Sequence, residues 1–366
     1  MPKRSLTLIL AVALVALVIS PTAPAADTIV IKGRGFGHGI GMSQYGAYGF
    51  AKHGRGYKRI LGHYFQGTRI ASEAAERVRV LLGSGGQLPF SDASRACGEH
   101  LKESKSYRFE RSGGGVALAT GGGRRLASCG KRGGARGGKS VRYAGRGEYR
   151  GELVAEPADG GLNAVNRVGI DDYVRGVVPN EMPAAWPADA LRAQAVAARS
   201  YALTTEVNGD GFDLYDDTRS QVYGGRASEA GGTNRAVRAT RGEVVKDGGR
   251  TATTYFFSTS GGETENLEFG FPGSERRSYL RGVRDPYDDA SPYHRWKVKL
   301  SRSEIESRLG SLVEGRLREI EIVKTGVSPR IVKARLHGTQ GKEGVSGLML
   351  QSELGLRSTW ARFKER

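Results

Sequence analysis

Residues Tyr173–Leu203 read YVRGVVPNEMPAAWPADALRAQAVAARSYAL and place a segment rich in proline before a helix-forming run. The prolines of this segment are Pro179, Pro183 and Pro187. Because proline fixes φ and removes an amide donor, we expect the strand-like run Tyr173–Val178 to end here. The segment then becomes a stiffened loop that carries Glu181.

The residues after this loop favour a helix. Pro187 is suited to the first helical position, which needs no amide partner, and the following residues are mostly Ala, Leu, Gln and Arg. Three- and four-residue spacings give a narrow face of small residues for close packing, formed by Leu191, Ala195, Ala198 and Ala202. A loop on such a rigid scaffold suits a catalytic Glu181. An ordinary exposed glutamate is the alternative.

The amino terminus has the pattern of a secretory signal peptide. Lys3 and Arg4 precede the apolar run Leu6–Ile19, and small residues for cleavage follow at 23–25. We expect residues 1–26 to be removed on export, with an uncleaved membrane anchor as the alternative. The predicted location is secreted, in the cell wall or on the extracellular face of the membrane.

The chain is basic, and its charge is unevenly distributed. The formal net charge is +18, and residues 101–150 carry 13 Lys or Arg against 3 acidic residues. This Gly-rich region lacks the interleaved aromatic residues that stack on bases, so we do not expect nucleic acid as a partner. It favours non-specific attraction to anionic wall polymers, or is simply a solvated loop surface.

Cys97 and Cys129 are the two cysteines of the chain. In an oxidising compartment an even pair favours a disulfide, here closing a Gly-rich loop. A metal site is the weaker alternative because no CxxC pair is present and only His100 is near. A third possibility is that both cysteines are free thiols.

Glycine occupies every odd position of Gly33–Gly41, which reads GRGFGHGIG. If the segment is extended, its bare face allows a backbone or a sugar ring to approach closely. No βαβ unit follows, so this is not a dinucleotide site. His38 on the other face is either a catalytic aid or ligand, or a structural histidine. Helices are expected over 42–52 and 57–66.

These segments resemble the stage II sporulation protein D (SpoIID) and amidase-enhancer family of bacterial cell-wall proteins. That family shows GVVPxEMP followed by ALxAQAVAAR(S/T)YA, matched here without gaps from Gly176 to Ala202. It also shows GRGFGHGVGMSQYGA with IL-x-HYY-x-GT, matched over 33–47 and 60–68. Many relatives place this second block after the glutamate block, whereas here it comes first. The order looks permuted, so the amino-terminal segment must pack back on the core.

Two further blocks resemble the same family. They are DTRSQVYG at 217–224 and STSGG-x-T at 258–264. Some relatives have His and Cys before the Gln of the first block, as part of a zinc site. Arg219 and Ser220 stand there instead, so no metal and no other cofactor is carried over.

The resemblance implies lytic cleavage of peptidoglycan glycan strands with Glu181 as the catalytic acid. The matched blocks supply the candidate substrate-binding residues Arg199, Gln194, His38, Ser43, Gln44, Gln221, Tyr223, Ser258 and Ser260. Arg199 touching Glu181 directly would favour its ionisation, so we expect it to face substrate or another acid. Met182 and Trp186 are candidate apolar neighbours of the carboxyl group. A glycan-binding enhancer of a cell-wall amidase, or a hydrolase using Asp217 or Glu263 as base, are the alternatives.

The expected fold class is α+β, a mixed core of helices and antiparallel sheet with a β-rich, Gly-rich basic insertion. After the signal peptide we expect a GHGIGMSQ block at 27–70, the insertion at 71–160, a catalytic SpoIID-like core at 161–300 and a C-terminal α+β segment at 301–366. Short strands are predicted at 77–82, 116–119, 141–143 and 151–154.

Overall fold

The computed structural model describes residues 28–207, 209 and 211–365. The predicted signal peptide lies outside this range. Within it, the helices that form are each too short or too polar to cross a membrane. The fold is α+β, as predicted. The helices are α1 Gln44–Lys52, α2 Tyr57–Tyr64, α3 Ile170–Glu181, α4 Ala188–Thr204, α5 Gly231–Ala239, α6 Leu267–Gly270, α7 Arg302–Leu309 and α8 Gly347–Leu354.

The strands fall largely into antiparallel sheets. Those of the first half of the chain are β1 Thr28–Gly33, β2 Met42–Ser43, β3 Arg69–Ser72, β4 Arg77–Gly85, β5 Gln87–Ser91, β6 Arg95–Ala96, β7 Glu99–His100, β8 Tyr107–Ser112, β9 Gly115–Thr120, β10 Arg125–Gly130, β11 Gly133–Arg136, β12 Val141–Tyr143, β13 Gly147–Tyr149, β14 Glu152–Ala158 and β15 Gly161–Gly169. Those that follow are β16 Leu214–Tyr215, β17 Glu243–Asp247, β18 Arg250–Thr251, β19 Phe256–Phe257, β20 Trp296–Ser301, β21 Leu317–Thr325, β22 Ile331–Gly338, β23 Lys342–Ser346 and β24 Ala361–Glu365.

The predicted β-rich insertion, residues 71–160, contributes strands to two sheets, the first of which also includes β15 and β16 from outside it. One has the order β16-β4-β15-β14-β11-β6-β7 and the other β10-β9-β8-β5-β12-β13. Alternating apolar residues, such as Val78 and Val80 of β4, bury one face of the first sheet against side chains such as Phe109 of the second. Cys97 follows β6 and Cys129 lies on β10, and the two are joined by a disulfide. The predicted crosslink is therefore confirmed, and it ties one sheet to the other.

The strand predicted over Tyr173–Val178 is wrong, because these residues belong to helix α3. Gly169 ends β15, and Asp171 and Asp172 in the first turn interact favourably with the positive end of the helix dipole. Pro179 falls in the last turn, where its missing amide removes a single hydrogen bond close to the end of the helix. Glu181 is therefore the last residue of a helix rather than part of a loop.

Helix α4 begins one residue later than predicted, with Pro187 as its N-cap. It is buried nearly all round, not only along the predicted small-residue face. Helices α1, α2, α3 and α5 all pack against it. Small alanine side chains allow these helices to approach closely, so α4 is the centre of the helical layer and fixes the end of α3 beside it.

The segment Gly33–Gly41 is not extended beyond the end of β1, so the condition for a bare strand face is not met. Glycines 35, 37, 39 and 41 all have positive φ, a backbone conformation that residues with a Cβ rarely adopt. The chain therefore forms a loop here. The close approach expected of a bare face does occur, but toward protein backbone. A Cβ at Gly35 would stand 2.6 Å from the Thr259 carbonyl oxygen.

The two ends of the described chain meet in a smaller sheet. Strand β1 lies between β20 and β24 and is antiparallel to both. Ile29 and Ile31 of β1 pack into a second hydrophobic cluster with Leu300, Leu336 and Leu350 of the C-terminal segment. The amino-terminal strand is therefore held by residues more than 260 positions away, as its pairing of Thr28 with Ser301 shows.

Candidate active site

Glu181 occupies the C-terminal end of α3, and both of its carboxylate oxygens accept a hydrogen bond. The side-chain amide of Gln44 donates to Oε2 at 3.1 Å, and the Val222 backbone N–H donates to Oε1 at 3.3 Å. These donors come from the GHGIGMSQ block and from the DTRSQVYG block. Three segments that are distant in sequence therefore converge on one carboxyl group.

The environment of Glu181 favours its protonated form. The side chain is only half-buried, and burial raises the pKa of Glu181, while the hydrogen bonds from Gln44 and Val222 lower it by less. None of the groups that set this pKa is a charged side chain. A carboxyl group with a raised pKa and partial access to solvent has the properties of a general acid.

Gln44 is held in place by the capping of α1. Ser43, entirely buried, is the N-cap residue, and its hydroxyl accepts hydrogen bonds from Gly46 N at 3.1 Å and Ser260 N at 3.3 Å. The short strand β2 pairs in parallel with β19. These contacts position Gln44 at the start of the helix, with its side chain directed at Glu181.

Aromatic side chains belong to the same segments as Glu181 and Gln44. The Trp186 ring packs against Tyr45 and Tyr48, with centroids 4.9 Å apart in both cases. Tyr201 is close enough for the negative charge of Glu181 to contribute to the raised pKa of its hydroxyl, after the larger effect of burial. The sequence analysis missed all three tyrosines. The three-residue spacing of Tyr45 and Tyr48 in MSQYGAYG, directly after Gln44, was the available signal for two of them.

Arg199 does not face an open surface. Its side chain is fully buried and donates to Asp171 Oδ1 at 3.0 and 2.7 Å and to the Glu243 carbonyl oxygen at 2.9 Å. It therefore faces another acid, which was one of the two expected arrangements. In this position it ties α4 to the first turn of α3 and to β17, and it does not reach Glu181.

His38 and Ser260 have structural partners. Nδ1 of His38 accepts from Ile40 N at 3.0 Å, so Nε2 donates to the Phe256 carbonyl oxygen at 3.1 Å. Burial, with a smaller contribution from nearby Arg330, lowers the pKa of His38 to about 4, although the hydrogen bond to Phe256 opposes this shift. Ser260 is fully buried and donates to Asp288 Oδ2 at 3.0 Å. Both residues shape the layer beneath Gln44.

The remaining predicted binding residues are mostly buried. Gln221 donates to the Ala198 carbonyl oxygen at 3.2 Å, and the Tyr223 hydroxyl donates to Asn166 at 2.7 Å. Gln194 is fully buried, and neither its side-chain oxygen nor its nitrogen has a hydrogen-bond partner among the described residues. Ser258 is half-buried, with its hydroxyl 3.2 Å from that of Thr259. Of this set, Gln44 alone contacts Glu181 through a side-chain hydrogen bond in the described part of the chain.

The residues at the family's zinc positions are engaged otherwise. Arg219 forms an ion pair with Asp217 and stacks over the Tyr215 ring at 3.6 Å, and Ser220 accepts from Tyr215 N at 3.1 Å. Across residues 28–207, 209 and 211–365, no three His, Cys, Asp or Glu residues come together as a set that would hold a metal ion.

A buried acidic cluster lies below α1 and was not predicted. Burial, followed by repulsion from Asp288, raises the pKa of Asp285 to about 7. The Tyr64 hydroxyl lies beside Asp285, and a Cβ at Gly46 would overlap both groups. His294 Nδ1 is 2.8 Å from the second carboxylate, that of Asp288. The GAYG glycines of α1 thus allow the helix to sit directly on this cluster.

The segment that carries Glu181 matches a known family. A protein-family model described as SpoIID, stage II sporulation protein, covers residues 158–246, which include α3, α4 and α5. Proteins named amidase enhancer and stage II sporulation protein D are among the relatives of this chain. Residues 158–246 therefore resemble the SpoIID family, and the chain is similar to proteins of both names.

Three relatives show how far the similarity extends. An uncharacterized protein of Brachyspira hyodysenteriae is 38% identical over 167 residues, 45% of this chain and 45% of its own length. The amidase enhancer of Bacillus subtilis is 38% identical over 135 residues, 37% of this chain and 18% of that protein. Stage II sporulation protein D of Bacillus subtilis is 30% identical over 221 residues, 54% of this chain and 62% of that protein. Each match thus spans less than two thirds of the relative.

Proposed function

We propose that this protein is a lytic transglycosylase that cleaves peptidoglycan glycan strands at N-acetylmuramic acid, with Glu181 as general acid and then base. The observation that carries the proposal is the setting of Glu181: half-buried, with a raised pKa, and with no charged side chain among the groups that act on it. The similarity of residues 158–246 to the SpoIID family supports peptidoglycan as the polymer.

A single carboxyl group is enough for this reaction. Glu181 protonates the glycosidic oxygen as the bond from that oxygen to the anomeric carbon breaks. The resulting carboxylate takes the proton of the muramic acid 6-hydroxyl, whose oxygen bonds to the same anomeric carbon. The products are a 1,6-anhydro end and a free hydroxyl on the leaving sugar, and Glu181 is protonated again. No water is consumed, because the internal hydroxyl replaces the second carboxylate that hydrolases need.

The surroundings of Glu181 suit a sugar substrate. Half-buried rings at Tyr45, Tyr48 and Trp186 offer apolar faces against which sugar rings pack. Gln44 supports the ionised intermediate of Glu181, since its hydrogen bond stabilises the carboxylate. The protein would act after export, in the cell wall or on the extracellular face of the membrane.

A hydrolase that uses Asp217 as base fits less well. The ion pair with Arg219 lowers the pKa of Asp217 to about 2, which makes it a weak base. Glu263 is held differently: it forms a β-bridge with Arg284, and its carbonyl oxygen accepts from Arg330.

A second candidate function is a non-catalytic glycan-binding protein that stimulates a cell-wall amidase. This candidate is supported by the relative named amidase enhancer, which is 38% identical over 135 residues. Mass spectrometry of glycan strands after incubation with the mature protein separates the candidates. Anhydro ends would support the transglycosylase, and reducing ends would support a hydrolase. Strands that stay uncut, while an added amidase releases stem peptides faster, would support the enhancer.

A further inference from the structure

A cavity of about 520 Å³ opens at one end of the sheet formed by β20, β1 and β24. Its lining contains five cationic side chains, two tryptophans and no acidic residue. The lining residues are Lys32, Gly33, Arg34, Arg295, Trp296, Lys297, Pro329, Trp360 and Arg362. Glu181 is not among them, so the cavity is separate from the candidate active site.

Three of these cations stand directly opposite one another across the sheet. Lys32 of β1 pairs in register with Lys297 of β20 on one side and with Arg362 of β24 on the other. Residues opposite each other in an antiparallel pair point to the same face, and like charges there are destabilising. The same face continues with Lys299 and Lys364, both opposite Val30. The other face carries Ile29 and Ile31 into the core.

Among the described residues, no ion pair joins Lys32, Lys297 or Arg362 to an acidic side chain, although Asp288 attracts another of the lining cations, Arg295. All five lining cations are exposed to solvent. Within the described part of the chain, no ion pair therefore offsets the repulsion between Lys32, Lys297 and Arg362. Strands about 4.8 Å apart set the cations in a short, closely spaced row, which would attract an anion strongly.

The two tryptophans give the cavity an apolar wall with a fixed shape. The Trp296 indole N–H donates to the Gly35 carbonyl oxygen at 2.8 Å, and the ring lies over Gly33, where a Cβ would overlap it. Trp360 is nearly buried, and the Arg34 guanidinium stands 5.2 Å from its ring centre. Rigid aromatic surface next to cations suits a ligand with both an apolar ring face and negative charge.

We propose that this cavity and the adjoining cationic face bind an anionic polysaccharide, a sugar polymer that carries phosphate or carboxylate groups. Its charged groups would contact Lys32, Lys297 and Arg362 on the exposed face of the sheet. Trp296 pairs with Gly33 and points to the other face, so a sugar ring would lie against it where the cavity passes round the end of the sheet. The preference for a sugar polymer over nucleic acid or an anionic membrane rests on the proposed function, since a wall-active protein meets such polymers. A bound polymer would hold the protein at the wall through a site other than Glu181.

The test is a binding titration with defined probes. These are phosphorylated dextran for phosphate, polygalacturonate for carboxylate, uncharged dextran, a single-stranded oligonucleotide and vesicles containing phosphatidylglycerol. The chain has three tryptophans, so in a Trp186→Phe background the tryptophan fluorescence comes only from Trp296 and Trp360 of the cavity. We expect one or both anionic polysaccharides to shift this fluorescence, with affinity falling as salt rises, and dextran to have little effect. The response to the two polysaccharides tells phosphate from carboxylate recognition.

The decisive variant is Lys32→Gln/Lys297→Gln/Arg362→Gln. We expect it to weaken binding at least about tenfold. It should melt at the same or a higher temperature, because it removes repulsion between like charges. The matched control, Arg125→Gln/Lys131→Gln/Lys139→Gln, removes three exposed cations from the basic insertion and should bind nearly as well as the parent.

Equal loss in both triple variants, or unchanged binding in the first, overturns the proposal. The proposal is also overturned if the oligonucleotide or the vesicles bind more tightly than either polysaccharide. Because the titration does not depend on cleavage, its result is separate from that of the proposed function. A protein that never cuts glycan can still show the site, and an active enzyme can lack it.

Discussion

Gln44 and Glu181 lie 137 positions apart in the chain, and the side-chain amide of Gln44 donates a 3.1 Å hydrogen bond to Oε2 of Glu181. The amino-terminal block is thus part of the surroundings of the candidate catalytic acid, despite the permuted order of the motifs. The bond stabilises the carboxylate, so it opposes the effect of burial on the pKa of Glu181.

This relationship predicts the pH dependence of a Gln44→Leu variant. Removing the donor raises the pKa of Glu181 further above its ordinary value, because burial then acts with less opposition. If protonated Glu181 is the active form, glycan cleavage falls as pH rises through this pKa. The falling limb of the pH–rate profile should therefore move to higher pH. Gln66→Leu, at an exposed position, is the control and should leave the profile unchanged. If the falling limb of Gln44→Leu stayed in place or moved to lower pH, the role given to Gln44 would be contradicted.

Arg199→Met should reduce stability rather than act on substrate binding alone. The change leaves Asp171, which is mostly buried, without its principal partner, and breaking such a pair costs about 3 kcal/mol or more. The half-exposed pair of Arg192 with Asp189 provides the control, since Arg192→Met should cost less than about 1 kcal/mol. Urea unfolding measures both. A stable Arg199→Met protein with weakened glycan binding would restore the substrate role.

The disulfide should contribute measurably to the stability of the insertion. Cys97 and Cys129 are 32 positions apart, and closing a loop of this length restricts the unfolded chain by about 3 to 4 kcal/mol. Cys97→Ser/Cys129→Ser should lose an amount of this order in denaturant unfolding. Thiol titration of the denatured, unreduced parent protein should find no free thiol, and two titratable thiols would remove the basis of this prediction.

Asp285 should make the stability depend on pH. Its pKa is about 7 in the folded protein and near 3.9 in an unfolded chain, so the folded state binds the extra proton. The resulting stabilisation is present below pH 4 and is lost as pH rises toward 7, by on the order of 4 kcal/mol. Asp285→Asn should remove this part of the dependence, whereas Asp159→Asn, at an exposed position, should leave it intact. If the free energy of unfolding of the parent and of Asp285→Asn changed in parallel between pH 4 and pH 7, the prediction would be refuted.

The sequence was informative wherever a local rule decided the structure. The α+β class, the short strands of the insertion and helices α1 and α2 follow from periodicity and glycine positions, and these predictions are confirmed. The error at Tyr173–Val178 arose because this run was taken as strand-like, with the prolines marking only its end. Favourable charges at the start of α3 and packing against α4 decided it instead.

The candidate site was less accessible to sequence reasoning. The resemblance identified Glu181 and Gln44 separately, but their contact depends on the pairing of β2 with β19 and on the capping of α1 by Ser43. The burial of Arg199 against Asp171 is equally a product of helix packing. The motifs thus identified segments that meet at Glu181, while tertiary packing determined which of their side chains face its carboxyl group.

The most direct test of the central claim is glycan cleavage by Glu181→Gln, followed by mass spectrometry of the strand ends. Glutamine keeps the size of the side chain but has no carboxylic proton to deliver, and general acid catalysis typically contributes on the order of a hundred- to ten-thousand-fold in rate. We expect the variant to fold, to bind glycan, and to lose anhydro ends by a factor in this range, whereas Glu263→Gln and Asp217→Asn lose little. Anhydro ends formed at a near-normal rate by Glu181→Gln would contradict the assignment of Glu181 as the catalytic acid.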